Sequence, residues 1–89
     1  MPELADTKEV RLTNGRRCRY RYENGVWRVA VYRMVREFDG KGRNPAFAYK
    51  WVEGMSTSPA FAVALAFDRE QPTNADRQVA SYIVERWSL

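Results

Sequence analysis

Arginine occupies every second position of the run 17–21, as Arg17, Arg19 and Arg21, and the alternation resumes beyond Asn24-Gly25 with Arg28, Tyr32, Met34 and Arg36. Side chains two apart on an extended chain share one face, so these residues converge on a single surface. The guanidinium fork suits bidentate contact with phosphate, carboxylate or a guanine edge. An aromatic ring among such groups offers a plane on which a base can stack. The chemistry on offer is therefore anion recognition and stacking. Catalysis has far less to work with. The chain has no His and one Cys, which leaves no credible zinc or iron site and no intramolecular disulfide. No pair of acids falls in a pocket-forming arrangement, and Cys18 is expected to point inward as an inert small hydrophobe. Asp39-Gly40-Lys41-Gly42 lacks the G-x-x-x-x-G-K-S/T spacing of a phosphate loop and precedes a strand, so it reads as a hairpin loop. A non-enzymatic binding module without cofactor or metal is the expectation.

A hairpin must position these groups. Asn-Gly between two alternating runs is the strongest short-range hairpin signal, because both central residues of a type I′ turn need positive φ. With Glu23 opposite Val26, the cross-strand pairs are Tyr22 with Trp27, Tyr20 with Val29 and Cys18 with Val31, an apolar face assigned to the core. The other face sets Arg21 against Arg28, Arg19 against Ala30 and Arg17 against Tyr32, then continues to Met34 and Arg36. Upstream, residues 1–9 read as a flexible polar tail, and 9–13 are either a short strand turned at Asn14-Gly15 or part of a bulged first strand.

Downstream, the second strand reaches about Glu37 and a Gly- and Pro-containing loop carries Lys41 and Arg43 to a third strand over 46–52. If 39–42 is the loop proper, Tyr49 lies opposite Tyr32 and Trp51 opposite Ala30, which brings Phe47, Tyr49 and Trp51 onto the arginine face; a one-residue slip would send all three to the core. Gly54 is expected to end the sheet. Ser58 then caps a helix with Pro59 at its first position. Its sequence AFAVALAF is apolar on nearly every side and implies burial. Thr73 and Asp76 form a capping-box pattern for a second helix, with Ala75, Val79, Ile83 and Trp87 as its buried stripe and Asp76, Arg77, Ser81 and Glu85 facing water. The fold expected is α+β, a three-stranded antiparallel sheet in the order β-β-β-α-α with both helices on one face, as a single domain over 10–89.

The charge distribution supports the division of faces. The net charge is +4, yet residues 10–52 alone carry +8, eleven bases against Glu23, Glu37 and Asp39, while 1–9 and 53–89 are each −2. Five arginines recur on one face with almost no acid between them, and such a field raises the local concentration of phosphates or acidic protein surfaces. No apolar run approaches the ~18 residues of a membrane span and the first ten residues lack a secretory pattern, so a cytoplasmic protein without a membrane partner is expected. The exposed sheet edges allow a monomer or a weak homodimer, Pro45 favouring the former.

Two resemblances bear on the partner. The stretch GVWRVAVYRMVREFDGKGRNPAFAYKWVEGMSTSPAFAVALAF, roughly half the chain, is similar in outline to the small arm-type DNA-binding domains of tyrosine recombinases, which show a W-x-V strand, a D-G-x-G loop, an aromatic-ending third strand and an Ala-rich helix. That likeness implies DNA binding through the sheet. The helix opening STSPAFAVALA resembles the Ser/Thr-Pro helix with recurring Ala found in small phage and mobile-element proteins. It implies a phage-encoded accessory protein of the anti-CRISPR-like class, acting in a bacterial host by blocking a defence protein. The partner is thus a nucleic acid or an acidic or nucleic-acid-binding host protein, with a merely solvated arginine face as the third reading. The residues expected to touch the partner are Arg17, Arg19, Arg21, Arg28, Tyr32, Met34, Arg36, Lys41, Arg43 and Tyr49.

Overall fold

A computed structural model of the chain describes residues 7–38 and 45–89. Among them, four strands, β1 (Lys8–Arg11), β2 (Arg17–Glu23), β3 (Val26–Phe38) and β4 (Pro45–Ser56), form one antiparallel sheet in the order β1-β2-β3-β4, followed by helices α1 (Pro59–Ala66) and α2 (Asn74–Trp87). The α+β class and the two helices match expectation, but the sheet has four strands rather than three. Of the two alternatives for 9–13, a separate short strand is the one formed; it begins at Lys8, inside the stretch expected to be a tail, and ends at Arg11.

The two turns of the meander follow from their residues. Asn24 and Gly25 both adopt positive φ, 53° and 77°, which gives the β2–β3 hairpin its expected register through Tyr22↔Trp27, Tyr20↔Val29 and Cys18↔Val31. Between β1 and β2 the amide of Leu12 donates to the Arg16 carbonyl at 2.9 Å, that of Gly15 to the Leu12 carbonyl at 2.8 Å, and the Asn14 side chain accepts from Arg16 N at 2.9 Å. Gly15 sits at φ +83°, a conformation that an L side chain enters at a cost of roughly 1–2 kcal/mol.

β4 differs most from expectation. It does not stop before Gly54 but runs on to Ser56, with Gly54 paired to Val29 in mid-sheet. Glycine ordinarily weakens a strand, and here it marks a close backbone approach. A Cβ at this position would overlap the Ala62 carbonyl oxygen and stand 2.6 Å from Ala66 N. The absent side chain lets α1 lie directly on the sheet.

The core fills the space between the helices and one sheet face: Cys18, Tyr20, Trp27, Val29 and Val31 against Ala62, Val63, Ala66, Ala80 and Ile83. Trp87 closes its end, edge-on to Tyr20 at 6.3 Å and to Trp27 at 6.2 Å. Ser58 and Thr73 are the N-caps, Thr73 in a complete capping box with Asp76. At the other end of α1, Arg33 reaches across from β3 and donates from Nε to the Ala66 carbonyl at 2.8 Å, satisfying one of the acceptors that every helix C-terminus leaves over.

In α2 the expected faces need one correction. Asp76 is buried at 1% exposure and Ala75 is exposed, because the carboxylate receives both Arg69 nitrogens, at 3.0 and 2.5 Å, and the Thr73 amide at 2.9 Å. A carboxylate so supplied with donors can be buried where a bare one cannot. Among the described residues no helix is long and apolar enough to cross a membrane, and no group of three potential ligands could hold a metal.

Candidate functional site: the open sheet face

Both helices lie on one face of the sheet, and alternation puts the arginines on the other. The strand registers define its rows. Arg11 of β1 lies beside Arg17 of β2, and Tyr32 of β3 beside Trp51 of β4; Glu9, Arg19, Ala30 and Glu53 form one continuous row across all four strands; Arg21, Arg28 and Met55 form the next. Beyond Tyr32 the face narrows to β3 and β4, with Met34 opposite Tyr49 and Arg36 opposite Phe47.

The pairing of β4 is shifted by two residues from the one expected: Tyr32 meets Trp51 rather than Tyr49. The paired ends are Phe38 and Pro45, so residues 39–44 lie between the strands where four residues were assumed. An even shift conserves the side of every residue, and Phe47, Tyr49 and Trp51 therefore share the arginine face. Tyr32 is stacked with Tyr49, centroids 5.5 Å apart and planes 22° off parallel, and tilted against Trp51 at 5.3 Å. Phe47, Tyr49, Met34 and Met55 are all exposed.

The arginines are organised around these rings and around three glutamates. Arg17 and Arg19 lie over Trp51, their Cζ atoms 5.2 and 4.2 Å from its centroid, a cation–π geometry contributing about 0.5–1 kcal/mol where water has access. Both also hold Glu9, Arg17 Nη2 at 3.1 Å and Arg19 Nε at 2.9 Å from the same oxygen. Hydrogen bonds from Arg19 first and Arg17 second keep the Glu9 carboxyl below its ordinary range. Arg28 meets Glu53 at 3.3 Å, and Arg21 meets Glu23 at 2.7 Å.

These acids correct the expectation of a face with almost no compensating charge. Arg21 and Arg28, opposed as like charges across β2 and β3, each have a glutamate of their own. The face carries Arg11, Arg17, Arg19, Arg21, Arg28 and Arg36 against Glu9, Glu23 and Glu53, positive on balance but mixed in sign. Arg21 is also 91% buried by its neighbours, at 9% exposure, and offers a partner much less than the others do. Of the remaining sequence-based candidates, Arg17, Arg19, Arg28, Tyr32, Met34, Arg36 and Tyr49 are gathered on this face, while Lys41 and Arg43 lie outside the described residues.

Glu9, Arg11 and Glu53 were not singled out from the sequence. For the first two a signal exists: Glu9 and Arg11 alternate with Val10 just ahead of Asn14-Gly15, which is the pattern of a strand with one face in common with Arg17 and Arg19. Glu53 becomes recognisable only once β4 is known to continue past it.

Cys18 lies on the opposite side, wholly buried, with its thiol pushed up to about 12 by burial and, secondarily, by the Glu9 charge. A thiol held protonated in this way is a poor nucleophile. No family model, curated protein or solved structure matches the chain.

Proposed function

We propose that the open sheet face binds single-stranded nucleic acid, with Tyr32, Tyr49 and Trp51 receiving bases and Arg11, Arg17, Arg19 and Arg36 meeting the backbone. The observation that carries this reading is the aromatic strip itself: Tyr32 in contact with both Tyr49 and Trp51 on the open side of a sheet, with arginines on the same face. Tyr49, the exposed ring of the three, gains nothing from the protein's own core, whereas a base laid on such a ring contributes about 1–3 kcal/mol.

A second reading, an inhibitor of the anti-CRISPR-like class that docks on a host defence protein, is favoured by the mixed charge. Glu9, Glu23 and Glu53 would repel phosphates but suit a protein surface of both signs, and Met34, Phe47 and Met55 are residue types at home in a protein interface.

Salt titrations of binding to single-stranded and duplex DNA and RNA separate the two. On the first reading single strands bind more tightly, Tyr49→Ala weakens them by roughly 5- to 150-fold, and Arg19→Glu lowers the salt slope by about one. Binding that vanishes well below physiological salt, or that is indifferent to Tyr49→Ala, refutes it and leaves the protein partner to be sought.

A further inference from the structure

The arginine face has one small residue at its centre. Ala30 pairs with Arg19 on one side and Glu53 on the other, and Arg28 and Tyr32 stand two residues away along its own strand, so a methyl group is ringed by long side chains. The result is a recess of about 390 Å³ floored by Ala30 and walled by Arg19, Arg28, Trp51 and Glu53. Each wall has a distinct capability. Arg19 over Trp51, at 4.2 Å, is a stacked pair that the plane of a base can extend, since guanidinium planes and indole rings both take bases. Arg28 touches Glu53 through a single nitrogen at 3.3 Å, and its Nε–H, out of contact with water, has no acceptor. Glu53 has its second carboxylate oxygen outside that contact and is about half exposed.

We infer that this recess is a base pocket selective for guanine, a deepening that rests on the reading of the face as a single-strand surface. Guanine presents O6 and N7 as adjacent acceptors, the pair that an arginine fork addresses best. Next to O6 it presents N1–H and the N2 amino group, donors for a carboxylate. Arg28 and Glu53 supply the complement of both edges from neighbouring strands, and since Nε is buried while the side chain as a whole is 38% exposed, the Nη groups are the donors that a purine over Ala30 can reach. Adenine fails on each count: its N6 amino group meets Arg28 where O6 should be, and its N1 lone pair faces Glu53. Pyrimidines present no N7. An anion alone would leave Glu53 as a repulsive neighbour, so a base fits the walls better than a bare phosphate does.

The test is fluorescence anisotropy with thymidine and uridine octamers, within the length range that sheet-type surfaces cover, unmodified or with one central G, A or C. The G-containing octamer is expected to bind about fivefold or more tightly than the others, the lower bound for a well-placed bidentate contact. Glu53→Gln, at an exposed position and checked for an unchanged melting curve, should bring the G-to-A ratio close to unity. Arg28→Lys, which keeps the charge but loses the fork, should lower the ratio as well. Octamers that all bind with one affinity overturn the pocket and leave the single-strand surface standing. Octamers of which none binds overturn both, and a G preference untouched by either substitution overturns the assignment to this recess.

Discussion

Gly54→Ala adds one methyl group where β4 passes beneath α1, and its effect follows from geometry alone. The new Cβ would overlap the Ala62 carbonyl oxygen and approach Ala66 N to 2.6 Å and Leu65 Cβ to 2.8 Å. Two of these three atoms belong to the helix backbone and the third is a Cβ, so no side chain can rotate away and trimming Leu65 to Ala gives no relief. Either α1 lifts from the sheet or β4 is pushed outward, and both separate Ala62, Val63 and Ala66 from Val29 and Val31. Overpacking of a rigid core is unfavourable by roughly 1–3 kcal/mol, and backbone on both sides argues for about 3. In a domain of this size that lowers Tm by roughly 12–24 °C. Thermal melts and urea titrations of the variant measure it directly. Gly25→Ala is the control: it meets nothing within 4 Å but sits at φ +77°, so its penalty is the 1–2 kcal/mol or so of the left-handed conformation. The two glycines thus separate want of space from want of conformational freedom, and Gly54, whose φ is not positive, should be the more damaging site. A Gly54→Ala protein that melts within about 4 °C of the parent, or a Gly25 variant that is the less stable, would refute the close approach of α1.

Trp27, at 8% exposure, packs in the core, and Trp27→Ala should lower stability by about 3–5 kcal/mol in urea titrations; an unaffected protein would mean the two sheet faces are reversed. Burial pushes the Asp76 carboxyl up, but the Arg69 hydrogen bonds and then those from Thr73 outweigh it and leave it below the ordinary 3.8. A depressed folded value means that this group's stabilisation is present in full above pH 3.8 and is lost as pH falls through the folded value. Asp76→Asn should therefore weaken the fold by about 1–2 kcal/mol at neutral pH, discounted for the exposure of Arg69, and flatten the acid limb of stability against pH; parallel limbs in the two proteins would count against it. The Cys18 thiol, pushed up to about 12, should react with a disulfide reagent at pH 8 only as fast as the chain unfolds, and labelling faster than unfolding would show that it is accessible.

What the sequence reveals here is parity more than partnership. Asn24-Gly25 sets the hairpin register by itself, and alternation then sorts Cys18, Tyr20, Trp27, Val29 and Val31 from the arginines. The side taken by Tyr49 and Trp51 does not emerge, because a one-residue change in the length of the β3–β4 connection reverses it; the observed pairing, two residues from one of the two alternatives, has the parity that puts both rings on the arginine face. Features that depend on another part of the chain do not emerge. A four-residue strand such as β1 has too few alternations to be distinguished from a bulge until β2 lies beside it. Gly54 reads as a strand terminator because nothing local shows that a helix will occupy the space above it. Asp76 reads as solvent-facing from helical periodicity, and its burial depends on Arg69 in the preceding connection. Glu9 and Glu53 become neighbours of Arg19 and Arg28 only through pairing across the sheet.

Core and open face nonetheless specify one another through β4. Along this strand Val52 and Gly54 are turned toward the helices while Trp51, Glu53 and Met55 are turned away. A slip of one residue would exchange the two sets. It would press the Glu53 carboxylate or the Met55 side chain against the backbone of α1, where Gly54 alone has room, and it would leave Gly54 on the open face in place of Glu53 or Met55. The close approach at Gly54 thus excludes the wrong register more strongly than hydrophobic pattern does, since it opposes the slip with steric overlap and with an unpaired buried charge together. The spacing of Arg19, Trp51, Arg28 and Glu53 is consequently fixed by a contact on the far side of the sheet, and groups held on strands in this way are positioned before any ligand arrives.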